Sequence, residues 1–227
     1  MKKVSLILSA VVMTAMMLSS CGGGASNEEG SSNEEGSSNE EGSSNEVTIG
    51  SQVWTSKNLD VATYRNGDVI PQVQYENAWE KLTTGAWCYY DNDASNGTKY
   101  GKLYNWYAVN DPRGLAPDGW HIPTNEEWTS LENHLGEKVA GTKMKSTSGW
   151  KQYSNGTNES GFSGLPGGYR SSSGTFRDIG KNGLWWSSTE VSPNYAWYRP
   201  YFHRQLWPLS RYSYGKKSGF SVRCLRD

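Results

Sequence analysis

Asp91, Asp93 and Ser95 sit at alternate positions, the spacing at which an EF-hand loop places its first three oxygen ligands on calcium. The rest of that pattern fails. Glycine arrives one place late, at Gly97, and Lys102 stands where a bidentate glutamate should close the loop. The segment reads instead as an Asx-rich turn, no metal ligands are assigned, and a calcium site built from other oxygen ligands stays open. His121, His134 and His203 share no zinc-ligand spacing and belong to no nucleophile motif. His121 reads as a satisfied structural histidine and His134 as a solvent-facing one. Gly164-Leu165-Pro166-Gly167-Gly168 lacks the lysine and the strand-to-helix setting of a phosphate loop, so its glycines read as places of close backbone packing. No carboxylate pair stands out for glycoside hydrolysis. The chain is therefore expected to have no catalytic residues and no cofactor.

Cys21 carries the most definite chemistry. Lys2 and Lys3 precede an apolar stretch, residues 4–18, broken only by Ser5, Ser9 and Thr14, and Leu18-Ser19-Ser20-Cys21 follows. The apolar run is shorter than the roughly 20 residues that cross a bilayer, and glycines and acids follow it rather than a basic stop-transfer cluster. It reads as a secretory signal over residues 1–20. Small residues before a cysteine resemble the bacterial lipobox, in which the thiol takes diacylglycerol and cleavage leaves Cys21 at the new N-terminus. Each buried methylene adds roughly 0.8 kcal/mol, so several acyl chains anchor the protein in effect permanently. Gly22, rather than aspartate, follows Cys21, which by resemblance to sorting rules implies a lipid anchor in the outer membrane, with the domain expected at the cell surface.

Residues 21–46 are the next unit. Ser-Asn-Glu-Glu-Gly-Ser repeats at 26–31, 32–37 and 38–43, without an apolar residue to seed a core. Glycine and serine give flexibility, and glutamates extend the chain by repulsion, so the segment is expected to be a disordered tether. A chain of this length reaches about 25–30 Å. The net charge of -1 hides an asymmetry: seven of the 23 acids lie in the tether and two of the 22 bases in the signal, so residues 47–227 carry 20 bases against 16 acids. Those bases are scattered, which argues against a nucleic-acid partner.

All 11 tryptophans and 14 tyrosines fall within residues 47–227, together with most of the glycine. Such a composition calls for many short strands and long ordered loops rather than a helical bundle. Val47-Thr48-Ile49 and Gln52-Val53-Trp54 read as a hairpin around Gly50-Ser51. Ala86-Trp87-Cys88-Tyr89-Tyr90 reads as a strand. Thr124 with Glu127 forms a capping box, Gly136 is placed to end the helix, and Trp128, Leu131 and Leu135 share the face to be buried. Strands are expected at 184–189, 195–199 and 219–224. Cys88 and Cys224 could pair in an oxidising compartment or remain free thiols; spacing does not choose between the two.

Five ordered motifs then point to a family. Gln52-Val53-Trp54 with Lys57-Asn58-Leu59, Tyr100-Gly101-Lys102-Leu103-Tyr104-Asn105-Trp106, Gly119-Trp120-His121-Ile122-Pro123-Thr124 with Glu127-Trp128, Trp185-Trp186-Ser187-Ser188, and Gly219-Phe220-Ser221-Val222-Arg223-Cys224 resemble the Fibrobacter succinogenes major paralogous domain. The resemblance covers residues 47–227. It implies an α+β domain of the C-type lectin-like fold, in which a small twisted antiparallel sheet and one or two helices support long ordered loops. The related formylglycine-generating sulfatase-modifying enzymes hold copper with a pair of C-terminal cysteines. This chain has only Cys224 in that region, which argues against such an activity.

Residues 190–217 mix aromatics, arginine, histidine, glutamine and serine with three prolines, without helical or strand periodicity. That composition is one of a binding surface, where rigid aromatics and arginine supply most of the energy. It is equally that of aromatics filling a leucine-poor core. The resemblance extends to the variable proteins of diversity-generating retroelements, whose C-terminal positions are rewritten on a kept frame. By that resemblance Tyr198, Tyr201, Phe202, His203, Gln205, Trp207, Tyr212 and Tyr214 are the candidate ligand-binding residues. Trp197, Arg199, Arg211, Lys216 and residues 219–224, with Phe220, are the frame. The expected partner is a protein or glycan, with the membrane reached only through the lipid. A structural or adhesive envelope module without a dedicated pocket is the alternative, and an enzyme of the sulfatase-modifying type a more distant one.

Overall fold

The computed structural model describes residues 45–151, 153–202 and 211–227. The signal, the lipid-acceptor Cys21 and nearly all of the tether lie outside the described residues, as do His203, Gln205 and Trp207. From the N-terminal side the elements are β1 (Glu46–Ile49), β2 (Gln52–Thr55), α1 (Glu76–Glu80), β3 (Trp87–Cys88), α2 (Ala94–Tyr100), β4 (Leu103–Tyr104), α3 (Trp106–Val109), β5 (Trp120–His121), α4 (Asn125–Leu135) and α5 (Ala140–Met144). Then follow β6 (Tyr169–Arg170), β7 (Phe176–Arg177), β8 (Asn182–Ser192), β9 (Tyr195–Phe202), β10 (Tyr212–Gly215) and β11 (Leu225–Arg226). The domain is thus α+β, built from small antiparallel sheets and short helices. One sheet has the order β1-β2-β11-β5, a second β10-β9-β8, and β3-β4 and β6-β7 pair separately.

The first sheet joins the two ends of the domain. β1 pairs with β2 from Glu46 opposite Thr55 to Ile49 opposite Gln52, and Leu225 of β11 lies opposite Trp54. An ion pair from Arg226 to Glu46 reaches across β2.

The second sheet explains why the tryptophan pair in β8 shows no alternation of apolar and polar residues. Successive side chains of a strand point to opposite faces, and here both faces are covered. Trp186 enters one aromatic cluster, stacked on Phe220 with ring centroids 4.2 Å apart. Trp185 enters another with Trp54, Trp128, Phe162 and Tyr201. β9 follows the same rule in register: Trp186 lies opposite Tyr198, and Trp185 opposite Arg199.

Helix α4 begins as its sequence requires. Thr124 accepts from the Glu127 amide, the Glu127 carboxylate accepts from the Thr124 amide at 2.7 Å, and Gly136 follows at φ +89°. Trp128, Leu131 and Leu135 are buried. His121 stands beside it, its ring nitrogens 2.7 Å from an Asp227 oxygen and 3.0 Å from a Glu127 oxygen. His134 is exposed.

Two expected strands are corrected, and the Asx-rich turn and the two cysteines take definite places. The strand expected at 86–90 extends over Trp87–Cys88 alone, because Tyr90 opens a 3₁₀ turn whose Asp91 and Asn92 have positive φ, tolerated by their short polar side chains. The Asx-rich turn is followed at once by α2, for which the Asp93 carboxylate caps the Ser95 amide. Residues 219–224 form no single strand: Gly219, Phe220 and Ser221 bridge Arg170, Tyr104 and Trp185 in turn, so each residue ties a different segment. Cys88 and Cys224 are free and buried, in separate clusters, and burial pushes both thiols up to about 12.

Candidate functional site

At the outer end of the second sheet aromatic and arginine side chains reach the surface. Register places Ser192 opposite Tyr195 across a turn at Pro193-Asn194, and β10 pairs with β9 so that Ser213 faces Trp197. Tyr195 and Trp197 lie two residues apart on β9 and so share a face with Ser213. Tyr195 is 50% exposed, Trp197 is half-buried, and the exposed Arg211 holds its guanidinium carbon 5.1 Å from the Trp197 ring centroid. A concavity of ≈ 270 Å³ adjoins this face, lined by Tyr107, Ser172, Asn194, Tyr195, Lys216 and Lys217. The Glu190 carboxylate pairs with Lys216, whose ammonium lies 4.4 Å from the Trp106 ring centroid. An arginine over an indole combines a planar cation with a wide apolar surface, the residue types that dominate binding hot spots.

The same strands turn inward further along. Arg199 is 1% exposed, donates from Nη1 to Asn125 Oδ1 at 2.7 Å and from Nη2 to Asn125 O and Thr129 Oγ1, and sets Nε 2.8 Å from Glu132 Oε1. That last approach is close but bent, and Nε and Oε1 have no hydrogen-bond partner among the described residues. Burial raises the Glu132 carboxyl to about 7, against the pull of Arg199. Tyr201 is 2% exposed and donates to Met144 Sδ at 3.0 Å. Tyr198 is 7% exposed, among Trp186, Tyr214 and Phe220. Burial raises both phenols well above the usual tyrosine range.

The assignment along β9 and β10 is therefore revised. Tyr198 and Tyr201, expected to meet ligand, are core residues, because each points to a covered face of the sheet. Trp197 and Arg211, expected to be frame, pack on each other at the surface, the indole half-buried and the guanidinium exposed. Tyr212 is 41% exposed on the face of Tyr198, and Tyr214 is half-buried against Tyr169 and Phe220. Phe202 ends β9, with its side chain outside the description. Arg199, Lys216 and Phe220 lie in the interior, Phe220 at 0% exposure.

Sequence reasoning missed the buried Arg170, and it put Arg223 in the frame without the carbonyls it ties. Arg170, 0% exposed, donates to the Val73, Gln74 and Gly174 carbonyls while lying over Trp79 and Phe176. Arg223, 1% exposed, donates to Asn58 Oδ1 and to the Thr55, Phe162 and Ser163 carbonyls. Long loops leave carbonyls that no ladder satisfies, and a guanidinium with five donors gathers several at once. Among the described residues no group of three His, Cys, Asp or Glu side chains is placed to hold a metal ion, and no helix is long and apolar enough to cross a membrane.

The motifs interlock. Asn58 Oδ1 accepts from Trp185 Nε1 at 2.8 Å and Arg223 Nε at 2.7 Å. Trp186 Nε1 donates to the Tyr104 carbonyl and Trp106 Nε1 to that of Ser187. Residues 47–226 match the model of the Fibrobacter succinogenes major domain. The chain belongs to that family. No curated protein matches it. In this Fibrobacter succinogenes major domain, the motif residues Asn58, Trp106, Trp185, Trp186 and Arg223 form the internal frame, whereas Tyr195, Trp197 and Arg211 stand apart from the motifs on the surface.

Proposed function

We propose that this protein is an outer-membrane lipoprotein, anchored through Cys21, that displays a C-type lectin-like domain at the cell surface as a non-catalytic binding module for a protein or glycan. The observation that carries this reading is the Trp197–Arg211 pair at the outer end of β9 and β10, the indole half-buried and the guanidinium exposed, beside the concavity at Tyr195. A rigid sheet presenting a stacked indole and guanidinium offers binding area at low entropic cost. The repeat-rich tether would hold that face clear of the bilayer, and its acids would repel anionic lipid headgroups.

Two experiments test the two halves. Cells fed labelled palmitate should label the chain, and Cys21→Ser should abolish both label and membrane fractionation; a labelled Cys21→Ser chain overturns the anchor. Full-length protein in detergent, screened on glycan and protein arrays, should show selective binding that is lost in the Trp197→Ala/Arg211→Ala double variant. Binding that survives the double variant moves the site elsewhere, and an absence of selective binding favours the structural envelope module. Diversification by a retroelement predicts a near-copy of the codons around residues 197–214, with adenines at the variable positions, beside a reverse transcriptase gene.

A further inference from the structure

A second concavity lies where the chain after β2 meets the C-terminal end of α2. Its volume is ≈ 420 Å³, and Lys57, Asn58, Asp60, Lys99, Tyr100 and Arg223 contribute to its wall. That volume falls within the range of about 300–1,000 Å³ typical of small-molecule sites, and it equals the liquid volume of roughly a dozen waters, too large for a bare oxyanion to fill.

Charge in this wall is one-sided. Lys57 and Lys99 are exposed and join no ion pair among the described residues, and the Lys99 ammonium stands 5.0 Å from the Tyr100 ring centroid. Asp60, the carboxylate on the wall, is tied to the buried Lys102 at 2.5 Å. Arg223 is the unusual member. All its acceptors are neutral: Asn58 Oδ1 at 2.7 Å, Thr55 O at 2.6 Å, Phe162 O at 2.9 Å and Ser163 O at 3.3 Å. A guanidinium has five N–H groups, so one of them, on Nη2, has no acceptor among the described residues. Placing a cation at 1% exposure without a counter-charge is costly, and burial lowers its pKa to about 9. Arg170, buried to the same degree, also lacks a carboxylate partner but lines none of the described concavities, so it acts only as a loop tie.

We infer that this cleft is a binding site for a sugar-sized ligand carrying one anionic group, a carboxylate or a sulfate ester, which neutralises Arg223 and is guided in by Lys57 and Lys99. The hydroxyls of Ser56, Thr98 and Ser163 on the same wall suit a polyhydroxylated ligand, and the anion supplies the charge that the protein's own residues leave out. The site is separate from the Trp197–Arg211 face and does not depend on it.

Isothermal titration calorimetry on the full-length chain in detergent tests this with D-glucuronate, glucose 6-sulfate, glucose and inorganic sulfate. The better of the two anionic sugars should bind about tenfold or more tightly than glucose or inorganic sulfate, a difference of about 1.4 kcal/mol. Whichever binds better identifies the group the cleft takes. Lys57→Ala/Lys99→Ala changes two exposed residues and should leave the unfolding transition in place while weakening that binding about tenfold. Trp197→Ala/Arg211→Ala should leave it unchanged, so failure here and failure of the proposed face are told apart. Glucose or inorganic sulfate binding as tightly as the anionic sugars, or a lysine double variant that binds normally, overturns the inference.

Discussion

Arg199 Nε lies 2.8 Å from Glu132 Oε1 where β9 packs on α4, with side chains 1% and 8% exposed. Both groups have left water, so removing Arg199 strands Glu132 together with the Asn125 and Thr129 acceptors. Arg199→Ala is expected to cost about 3–5 kcal/mol in urea denaturation, far more than loss of a surface ion pair. A variant within about 1 kcal/mol of the parent would show the pair to be dispensable.

Glu132 also sets a pH dependence. Burial raises its carboxyl from 4.5 to about 7, so between those values the folded state binds more protons than the unfolded one. Its contribution is full below 4.5 and is lost as pH rises to about 7. Urea midpoints should fall across that window, and Glu132→Gln should flatten the fall. A slope that is unchanged in Glu132→Gln places the titration elsewhere.

His121 adds a second, separable slope. Burial opposes its charged form, but hydrogen bonds to Asp227 and Glu127 outweigh it and raise the ring above 6.5. Its contribution is present below 6.5 and disappears as pH passes the raised value. The ring protons of His121 should titrate above 6.5 by NMR, and Asp227→Asn should lower that midpoint. Titration below 6.5 in the parent would contradict the clamp.

Neighbouring substitutions on β9 should behave as opposites. Tyr198→Ala empties a packed aromatic cluster and is expected to cost about 3–5 kcal/mol. Trp197→Ala, half-buried at the outer end of the strand, should cost clearly less, about 1–2 kcal/mol, and act on binding as well. Equal thermal shifts for the two would mean that the sheet has been assigned the wrong faces.

The thiols give a simple check. Cys88 and Cys224 are buried and apart, so reductant should not move the unfolding midpoint, and neither should react with a thiol reagent until urea unfolds the domain. A reductant-dependent midpoint would mean that the two thiols form a bond.

How much of this was legible in sequence depended on whether the determinant was local. The α4 capping box and the Gly50-Ser51 hairpin turn rest on residues a few places apart, and both were readable. The faces of β9 were not, because alternation vanishes when both sides are covered: Trp197 shares a face with the buried Arg199 and Tyr201 and reaches solvent only because it lies toward the outer end of the strand. Nor was the role of Arg223 visible. Its acceptors at Thr55, Asn58, Phe162 and Ser163 come from distant parts of the chain, and no spacing announces them. Residues 219–224 looked like a strand because their residue types suit one; the three different bridge partners exist only in the folded molecule.

The meeting of the domain's two ends has a mechanical consequence. A pull arriving along the chain at Glu46 acts on β1, the outermost strand of its sheet, at the open end of the hairpin whose turn lies at Gly50-Ser51. Such a load would unzip β1 one residue pair at a time. The clasp from Arg226 lies at the first pair to be opened, so the C-terminal strand acts as a latch against traction from the N-terminal side.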